Sequence, residues 1–341
     1  MAQLNKAEEI SAVWSALAAI PRYDEGWMTL PVAVGSPCIL KAGRHFPGNE
    51  EAVLAGFRSI PSPLKEQLPE GKGFSVREVS LGLESEGLVW IALQRLPAGS
   101  LEMFTMMAAD IISTLEGMSA SSENRIFSMF IARIRAWQNF MQRGKEGLLG
   151  FESEVGLYGE LLMLEALLDS DIPPDRAVSS WVGPCDGLQD FMIGTGAIEV
   201  KTTTAAGIFP AWISSLEQRD DSLCQPLFLA AIRICQIETG CRLPDMIGKI
   251  RAILQTASLE VLLDFDLRLL QAGYYDNYSN SYVRKFGYVG TRIIHVDASV
   301  PRLVRSTIPH GILRARYEID IESVSVEDLS LEQALLSLGA Y

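Results

Sequence analysis

Two carboxylates and one lysine lie within a short segment, residues 189–202, with the sequence Gln-Asp-Phe-Met-Ile-Gly-Thr-Gly-Ala-Ile-Glu-Val-Lys-Thr. Its two glycines predict a hairpin whose turn is centred on residues 195–196. With an even loop of two or four residues, Asp190 faces Lys201 across the two strands, and Glu199 projects on the same side. An odd loop would move Asp190 to the opposite, apolar face, so the chemistry depends on the register.

These residue types suit a divalent cation. Two carboxylates held close together repel each other unless positive charge lies between them. Oxygen ligands suit Mg²⁺ or Mn²⁺ rather than Zn²⁺, so Asp190, Glu199 and the main-chain carbonyl of Val200 are the predicted metal ligands. Such a cation polarises a phosphate and lowers the pKa of a bound water. Lys201 would orient that water, help to deprotonate it, or stabilise the charge of the transition state.

The same hairpin has a simpler interpretation, in which its polar face is solvated and carries only a cross-strand ion pair. A second pair of carboxylates, Asp264 and Asp266, alternates with apolar residues in the segment 263–267. This alternation predicts one face of a strand, but no lysine or further acid accompanies it. We therefore interpret that second pair as a solvated strand face.

The elements that must position these residues follow from hydrophobic periodicity. Helical spacing of apolar residues predicts helices over the first twenty residues and over residues 101–116, 125–142, 152–168 and 244–254. Shorter runs predict strands at residues 28–34, 38–41, 74–96 (a hairpin), 292–296 and 314–321. Residues 227–234 are almost uninterruptedly apolar, which is typical of a strand buried on both faces. The order of elements predicts an α+β or α/β fold.

One stretch predicts a domain joint. Residues 117–122 are small, polar and uncharged, as in many linkers. The predicted domains are therefore residues 1–115, a mixed α+β domain of unknown role, and residues 116–341, which contain the carboxylates and the lysine.

The carboxylates and the lysine resemble a known signature. Asp190, an eight-residue gap and Glu199-Val200-Lys201 resemble the D-x(n)-(D/E)-x-K pattern of the PD-(D/E)XK nuclease superfamily. Gly156-Leu-Tyr-Gly-Glu-Leu161 and Trp181-Val-Gly-Pro184 precede it, in the order found in an uncharacterised bacterial family assigned to that superfamily. The resemblance is dense over residues 147–235. Gln189 departs from it, since the superfamily's name places proline there.

The resemblance implies a restriction-endonuclease-like core within residues 116–341, with a central mixed sheet flanked by helices. It also implies hydrolysis of phosphodiester bonds that depends on Mg²⁺ or Mn²⁺, with DNA as the substrate. Glu160, on the helix before the hairpin, would join Asp190 and Glu199 as a catalytic and metal-binding residue. Glu154, six residues earlier on that helix, is the rival acid.

A further helix is predicted after the hairpin. Ser214 and Glu217 have the spacing of a capping box, so a helix should begin there. Gln218 would lie in its first turns, where related nucleases carry an accessory polar residue of the catalytic site.

The charge of the chain keeps an alternative open. The sequence has 29 basic and 42 acidic residues, a net charge of −13, which is unusual for a general nucleic-acid binder. The chain is therefore either a nuclease or a catalytically silent, nucleic-acid-binding or assembly subunit of a bacterial defence or repair system. A partner protein, or a second copy in a homo-oligomer, would then complete the basic surface. A third interpretation is a metal-independent scaffold with an incidental motif.

One basic segment stands out in this acidic chain. Residues 284–316 contain seven basic side chains and one acidic side chain, and a tyrosine-rich stretch at residues 274–282 precedes them. Aromatic and cationic side chains together bind nucleic acids by stacking and phosphate pairing. The predicted contacts are Tyr278, Tyr282, Arg284, Lys285 and Arg292. The alternative is an ordinary loop followed by strands with exposed arginines.

Other classes of protein are disfavoured. The five cysteines are odd in number and form no CxxC, and the three histidines are far apart, which argues against a disulfide framework or a zinc site. The N-terminus lacks the pattern of a signal peptide, and no stretch is apolar enough for a membrane span. We therefore expect a soluble, cytoplasmic protein with no membrane partner.

Overall fold

The chain forms two compact units, Met1–Gly144 and Lys145–Tyr341. The computed structural model describes residues 6–21, 25–32, 38–58, 60, 68–82, 87–118, 121–142, 148–185, 187–213, 224–297, 299–304, 308–309 and 312–340. Both units combine helices with sheets, which confirms the predicted α+β class. Within the described residues, no helix combines the length and the apolar character that crossing a bilayer demands.

Within its described residues, the first unit contains a six-stranded antiparallel sheet and three helices. Its helices are α1 (Lys6–Ala18), α2 (Leu101–Gly117) and α3 (Glu123–Gln142). Its strands are β1 (Gly26–Pro31), β2 (Ile39–Phe46), β3 (Glu50–Phe57), β4 (Glu70–Gly71), β5 (Phe74–Val79) and β6 (Val89–Arg95), in the order β1-β2-β3-β6-β5-β4. The predicted hairpin over residues 74–96 is the antiparallel pair β5–β6.

The break between the units lies about thirty residues beyond the predicted boundary at residues 115–116, because α3 packs against α2. Asp110 on α2 accepts hydrogen bonds from Arg133 Nε at 2.7 Å and from Trp137 Nε1 at 2.6 Å, both on α3. Arg133 and Trp137 are buried, and a buried charge must keep its partner. The buried ion pair thus fastens α3 to the first unit.

The second unit is built around a four-stranded mixed sheet. Its helices are α4 (Phe151–Asp169), α5 (Pro174–Ser180), α6 (Leu243–Ala257), α7 (Leu259–Ala272) and α8 (Leu331–Leu338). Its strands are β7 (Phe191–Ile193), β8 (Gly196–Thr203), β9 (Pro210–Ile213), β10 (Leu227–Arg242), β11 (Lys285–His295) and β12 (Tyr317–Asp320). The sheet order is β11-β10-β8-β7, and β9 and β12 form a separate two-stranded ribbon.

The central strand β10 explains the sheet's two buried faces. It runs parallel to β8 and antiparallel to β11. Alternate residues such as Phe228 and Ala230 contribute to the core shared with α4 and α6, whereas Leu227 and Leu229 contribute to a second core on the other face. A strand buried on both faces has to be apolar throughout, which confirms the prediction made for residues 227–234.

The predicted strand over residues 263–267 is wrong, because these residues belong to α7. Asp264 pairs with Arg268 one helical turn later, and Asp266 pairs with Arg251 of α6. Helix α7 begins at the N-cap Ser258, whose side chain accepts a hydrogen bond from the Glu260 amide. Both acids therefore serve surface ion pairs.

Helix α4 lies unusually close to β8. A Cβ placed on Gly159 would lie 1.7 Å from Thr202 Oγ1, whereas a Cβ on Gly156 would meet nothing within 4 Å. Only a residue without a side chain allows the helix this approach. The close approach places the following residue, Glu160, beside β8.

We predict that Gly159→Ala lowers the free energy of unfolding by about 1–3 kcal/mol, because the added methyl group overpacks the contact with Thr202. The matched control is Gly156→Ala on the same helix, which should leave stability unchanged or raise it by up to about 1 kcal/mol. Urea unfolding of both variants measures the difference. Equal effects of the two substitutions would contradict the close packing of α4 on β8.

Candidate active site

The β7–β8 hairpin has an even turn, but its register differs from the predicted one. Phe191 pairs with Ile198 and Ile193 with Gly196, so the turn consists of Gly194 and Thr195. Gly194 adopts a φ of 58°, the left-handed conformation that two-residue hairpin turns require and glycine supplies. Continuing this register by one residue places Asp190 opposite Glu199 rather than opposite Lys201.

The shift of two residues preserves the predicted faces, because side chains alternate with a period of two. The apolar side chains Phe191, Ile193, Ile198 and Val200 all belong to the core beneath α4. Glu199 and Lys201 project from the other face of β8. There Glu199 is 3% exposed, and Lys201 Nζ lies 2.6 Å from Glu199 Oε1.

Asp190 is held at the edge of β8, where residues 199–203 continue beyond the end of β7. Its Oδ2 accepts a hydrogen bond of 2.7 Å from the Val200 amide. Its main-chain oxygen accepts hydrogen bonds from the amides of Val182 and Gly183 at 2.8 and 3.0 Å. The segment after Trp181 therefore fixes the backbone of Asp190, while β8 fixes its side chain.

Glu160 reaches the same edge from α4. Its Oε2 accepts a hydrogen bond of 2.7 Å from the indole Nε1 of Trp181. A Cβ placed on Gly183 would lie 2.9 Å from Asp190 Oδ1 and 3.3 Å from Glu160 Oε2, so these two oxygens are no farther apart than the sum of those distances. We call Glu160, Asp190 and Glu199 the acidic cluster.

The charges of neighbouring carboxylates contribute to the pKa values of Glu160 and Asp190. Burial raises the pKa of Glu160 to about 7, and the charge of Glu199 adds to the rise, against the opposing effects of the Trp181 indole and Lys201. Burial also raises the pKa of Asp190 well above its ordinary value, helped by Glu199 and Glu160 and opposed by Lys201 and the Val200 amide. Glu160 and Asp190 are thus stabilised in their neutral forms, which an added positive charge would reverse.

The oxygen atoms of the acidic cluster fit a divalent cation. Glu199 Oε2 is buried and has no hydrogen-bond partner among the described residues, so it remains an acceptor without a donor. Carboxylate oxygens are the ligands that Mg²⁺ and Mn²⁺ prefer, and Mg²⁺ needs only one or two of them because it retains several waters. Within the part of the chain that the structure describes, no three His, Cys, Asp or Glu side chains are close enough to hold one ion together.

The rival acid Glu154 lies elsewhere. It is completely buried, and its Oε2 pairs with Arg284 Nη1 at 2.5 Å. Glu160, not Glu154, therefore contributes to the acidic cluster. The predicted accessory residue Gln218, with the helix start at Ser214, lies outside the described residues.

The predicted nucleic-acid contacts do not form one open surface. Tyr282 is 2% exposed, and its hydroxyl accepts a hydrogen bond from the Leu149 amide, so its ring is packed in the core. Tyr278 is partly buried against the same core. The three basic side chains are each held by an acid: Arg284 by Glu154, Lys285 by Glu238 and Arg292 by Asp328.

The motif pattern predicts no individual role for two residues of the site. Trp181 and Gly183 belong to the motif Trp181-Val-Gly-Pro184, in which the pattern indicates a function for neither the indole nor the glycine. A buried tryptophan needs an acceptor for its N–H, and the acidic residue on the neighbouring helix was the available signal. Gly183 leaves free the space next to Asp190 Oδ1 and Glu160 Oε2 that a side chain would fill.

Comparison with known proteins gives one match. A family model described as "Putative PD-(D/E)XK family member, (DUF4420)" matches residues 10–322. The match extends over both compact units, well beyond the densest part of the resemblance at residues 147–235. No curated protein and no solved structure matches the chain.

We predict that the metal-free protein becomes less stable as the pH rises from about 4.5 to about 7. In this range Glu160 keeps its proton in the folded state, with a pKa of about 7, whereas the unfolded chain has already lost it. The folded state thus binds more protons, and the free energy of unfolding falls by about 3 kcal/mol through Glu160. The raised pKa of Asp190 acts in the same direction.

Urea unfolding at pH 5 and pH 8 tests this for wild type, Glu160→Gln and the control Glu165→Gln on the same helix. The Glu160 variant should lose much less stability between the two pH values than wild type, and the Glu165 variant should behave as wild type does. The same pH dependence in all three proteins would contradict the prediction, because it would show that folding does not raise the pKa of Glu160.

Proposed function

The chain belongs to this family of PD-(D/E)XK proteins, and we propose that it is a metal-dependent nuclease that hydrolyses phosphodiester bonds of DNA. The observation that carries the proposal is the convergence of the acidic cluster and Lys201 at the edge of β8. Glu160, Asp190 and the Glu199–Lys201 pair come from three different parts of the motif pattern, and each is held by a specific contact. In this proposal the second unit is the restriction-endonuclease-like domain, with its four-stranded mixed sheet at the centre.

We assign the binding of Mg²⁺ or Mn²⁺ to Asp190, Glu199 and the Val200 carbonyl, with Glu160 bound directly or through water. The N–H and C=O groups of one strand residue point to the same side of the strand. The Val200 amide donates to Asp190, so its carbonyl lies on the side of Asp190 as well. A bound divalent cation would polarise the scissile phosphate and lower the pKa of a nucleophilic water.

Lys201 contributes a positive charge beside the acidic cluster. Its ammonium lies 2.6 Å from Glu199 Oε1, at the face from which Glu199 projects. From there we propose that Lys201 orients the attacking water and stabilises the negative charge that develops on the phosphate in the transition state. Gln218 retains the role of an accessory polar residue in this proposal.

A specific observation favours a second candidate function. Lys201 already binds Glu199, and no three metal-binding side chains enclose a common point among the described residues. These features suit a catalytically silent subunit that binds nucleic acid or assembles with a defence or repair partner. Metal binding separates the candidates, because an assembly subunit has no need of a cation.

We predict that the wild-type protein binds Mn²⁺ and that Asp190→Asn and Glu199→Gln each weaken this binding at least about tenfold. Cleavage should be lost with it. Lys201→Met should retain the metal but lower cleavage by about 100- to 1,000-fold, because it removes only the stabilising charge. Isothermal titration with Mn²⁺ and incubation with plasmid DNA, single-stranded DNA and RNA measure the two effects.

The control for these variants is Asp245→Asn, which neutralises an exposed carboxylate at the start of α6. It should bind Mn²⁺ and cleave as wild type does. Absence of Mn²⁺ binding by wild type would remove the nuclease proposal. Metal binding that needs Asp190 but is accompanied by no cleavage would favour the silent subunit.

A further inference from the structure

The two-stranded ribbon β9–β12 presents an exposed tryptophan. Trp212 is 64% exposed, whereas Trp14, Trp90, Trp137 and Trp181 are buried. Its neighbours in the strand, Ala211 and Ile213, are buried as well. Leaving a large aromatic ring in water sacrifices burial worth about 1.5–3 kcal/mol, and an exposed ring is available to stack with an unpaired base.

Two exposed arginines lie close to this ribbon in sequence. Trp212 pairs with Glu318 across the ribbon, and alternation places Arg316, just before β12, on the same side as Glu318. Arg314 lies two residues earlier, in the segment that leads into β12. Both arginines are exposed, and within the described part of the chain neither forms an ion pair. They differ in this from the predicted contacts Arg284, Lys285 and Arg292.

The ribbon lies on the side of the sheet that carries Glu199. Its inner residues Phe209 and Ala211 share a core with Ala197 of β8 and Leu229 of β10. Ala197, Glu199 and Lys201 project from this same face of β8, because they alternate along the strand. The ribbon therefore packs on the face of the sheet from which Glu199 and Lys201 project, and its outer face points away from that shared core.

We infer that the outer face of the ribbon binds single-stranded nucleic acid, with one unpaired base stacked on Trp212 and adjacent phosphates paired with Arg314 and Arg316. The substrate class of this inference rests on the proposed function. A duplex keeps its bases stacked on one another, whereas a single strand offers each base to an aromatic ring. Glu318, opposite Trp212, repels phosphates and so favours a base rather than the backbone at the ring.

The test measures binding without catalysis. Fluorescence anisotropy of a labelled oligothymidylate is recorded in EDTA, with the full chain. We expect Trp212→Ala to weaken binding about tenfold or more, which is the usual loss for one stacked base. Replacing both arginines, Arg314→Gln with Arg316→Gln, should reduce the slope of log affinity against log salt by roughly 1.4, the value for two phosphate contacts on a single strand.

Two control variants match these changes elsewhere on the surface. Tyr288→Ala removes another exposed aromatic ring, on β11, and Arg176→Gln removes another exposed arginine, on α5. Both should bind the oligonucleotide as wild type does. Because Trp212 is exposed, its variant should retain the circular dichroism and the unfolding midpoint of wild type.

Three results of the binding measurements would overturn the inference, and so would one result of a sedimentation measurement. The three are no binding by wild type, equal binding by the Trp212 variant, or equally tight binding of a duplex of the same length. Loss of self-association in the Trp212 variant, seen by sedimentation without a change in oligonucleotide affinity, would also overturn it and assign the face to a protein contact.

Failure of the proposed function remains distinguishable from failure of this inference. The Asp190→Asn variant should bind the oligonucleotide as tightly as wild type does while it cleaves nothing. Binding that depends on Trp212, without cleavage by wild type, would support nucleic-acid binding at the ribbon and contradict the proposed nuclease activity. Cleavage by wild type without binding that depends on Trp212 would support the nuclease activity and contradict nucleic-acid binding at the ribbon.

Discussion

The burial of Glu160 and Asp190 beside Glu199 is unfavourable, and the surrounding elements have to offset its free-energy cost. Desolvation and mutual repulsion raise the pKa values of Glu160 and Asp190. The chain compensates with a small number of donors: the Trp181 indole, the Val200 amide and the Lys201 ammonium. Such strain is tolerated in proteins where it serves a function.

Several features of the second unit become intelligible from this constraint. Gly159 lets α4 approach β8, and Gly183 leaves room between the carboxylates. Strand β7 pairs with β8 only as far as Ile198, so the Val200 amide at the edge of β8 can donate a hydrogen bond to Asp190. Each feature is unremarkable by itself, but the acidic cluster needs all of them at once.

The sequence predicted the secondary structure around the site well and its long-range pairing less well. Hydrophobic periodicity located α4, β8 and β10, since their burial follows local patterns. The hairpin register was wrong by two residues because two neighbouring glycines offered different turns, and only Gly194 adopts the positive φ. Residues 263–267 were misassigned because five alternating residues cannot distinguish a strand from a helix surface. The partners of Arg284 and Arg292, Glu154 and Asp328, are distant in sequence, so no local pattern indicated them.

The pairing of β9 with β12 has a consequence for how the molecule forms. The acidic cluster and Lys201 all lie within residues 160–201, whereas Trp212 meets Glu318 more than one hundred residues later. Contacts between nearby residues close small loops and form early, and distant ones form late. During synthesis from the N-terminus, the carboxylates therefore gather before the ribbon is complete. A chain interrupted before β12 would carry the residues of the candidate active site without the completed ribbon.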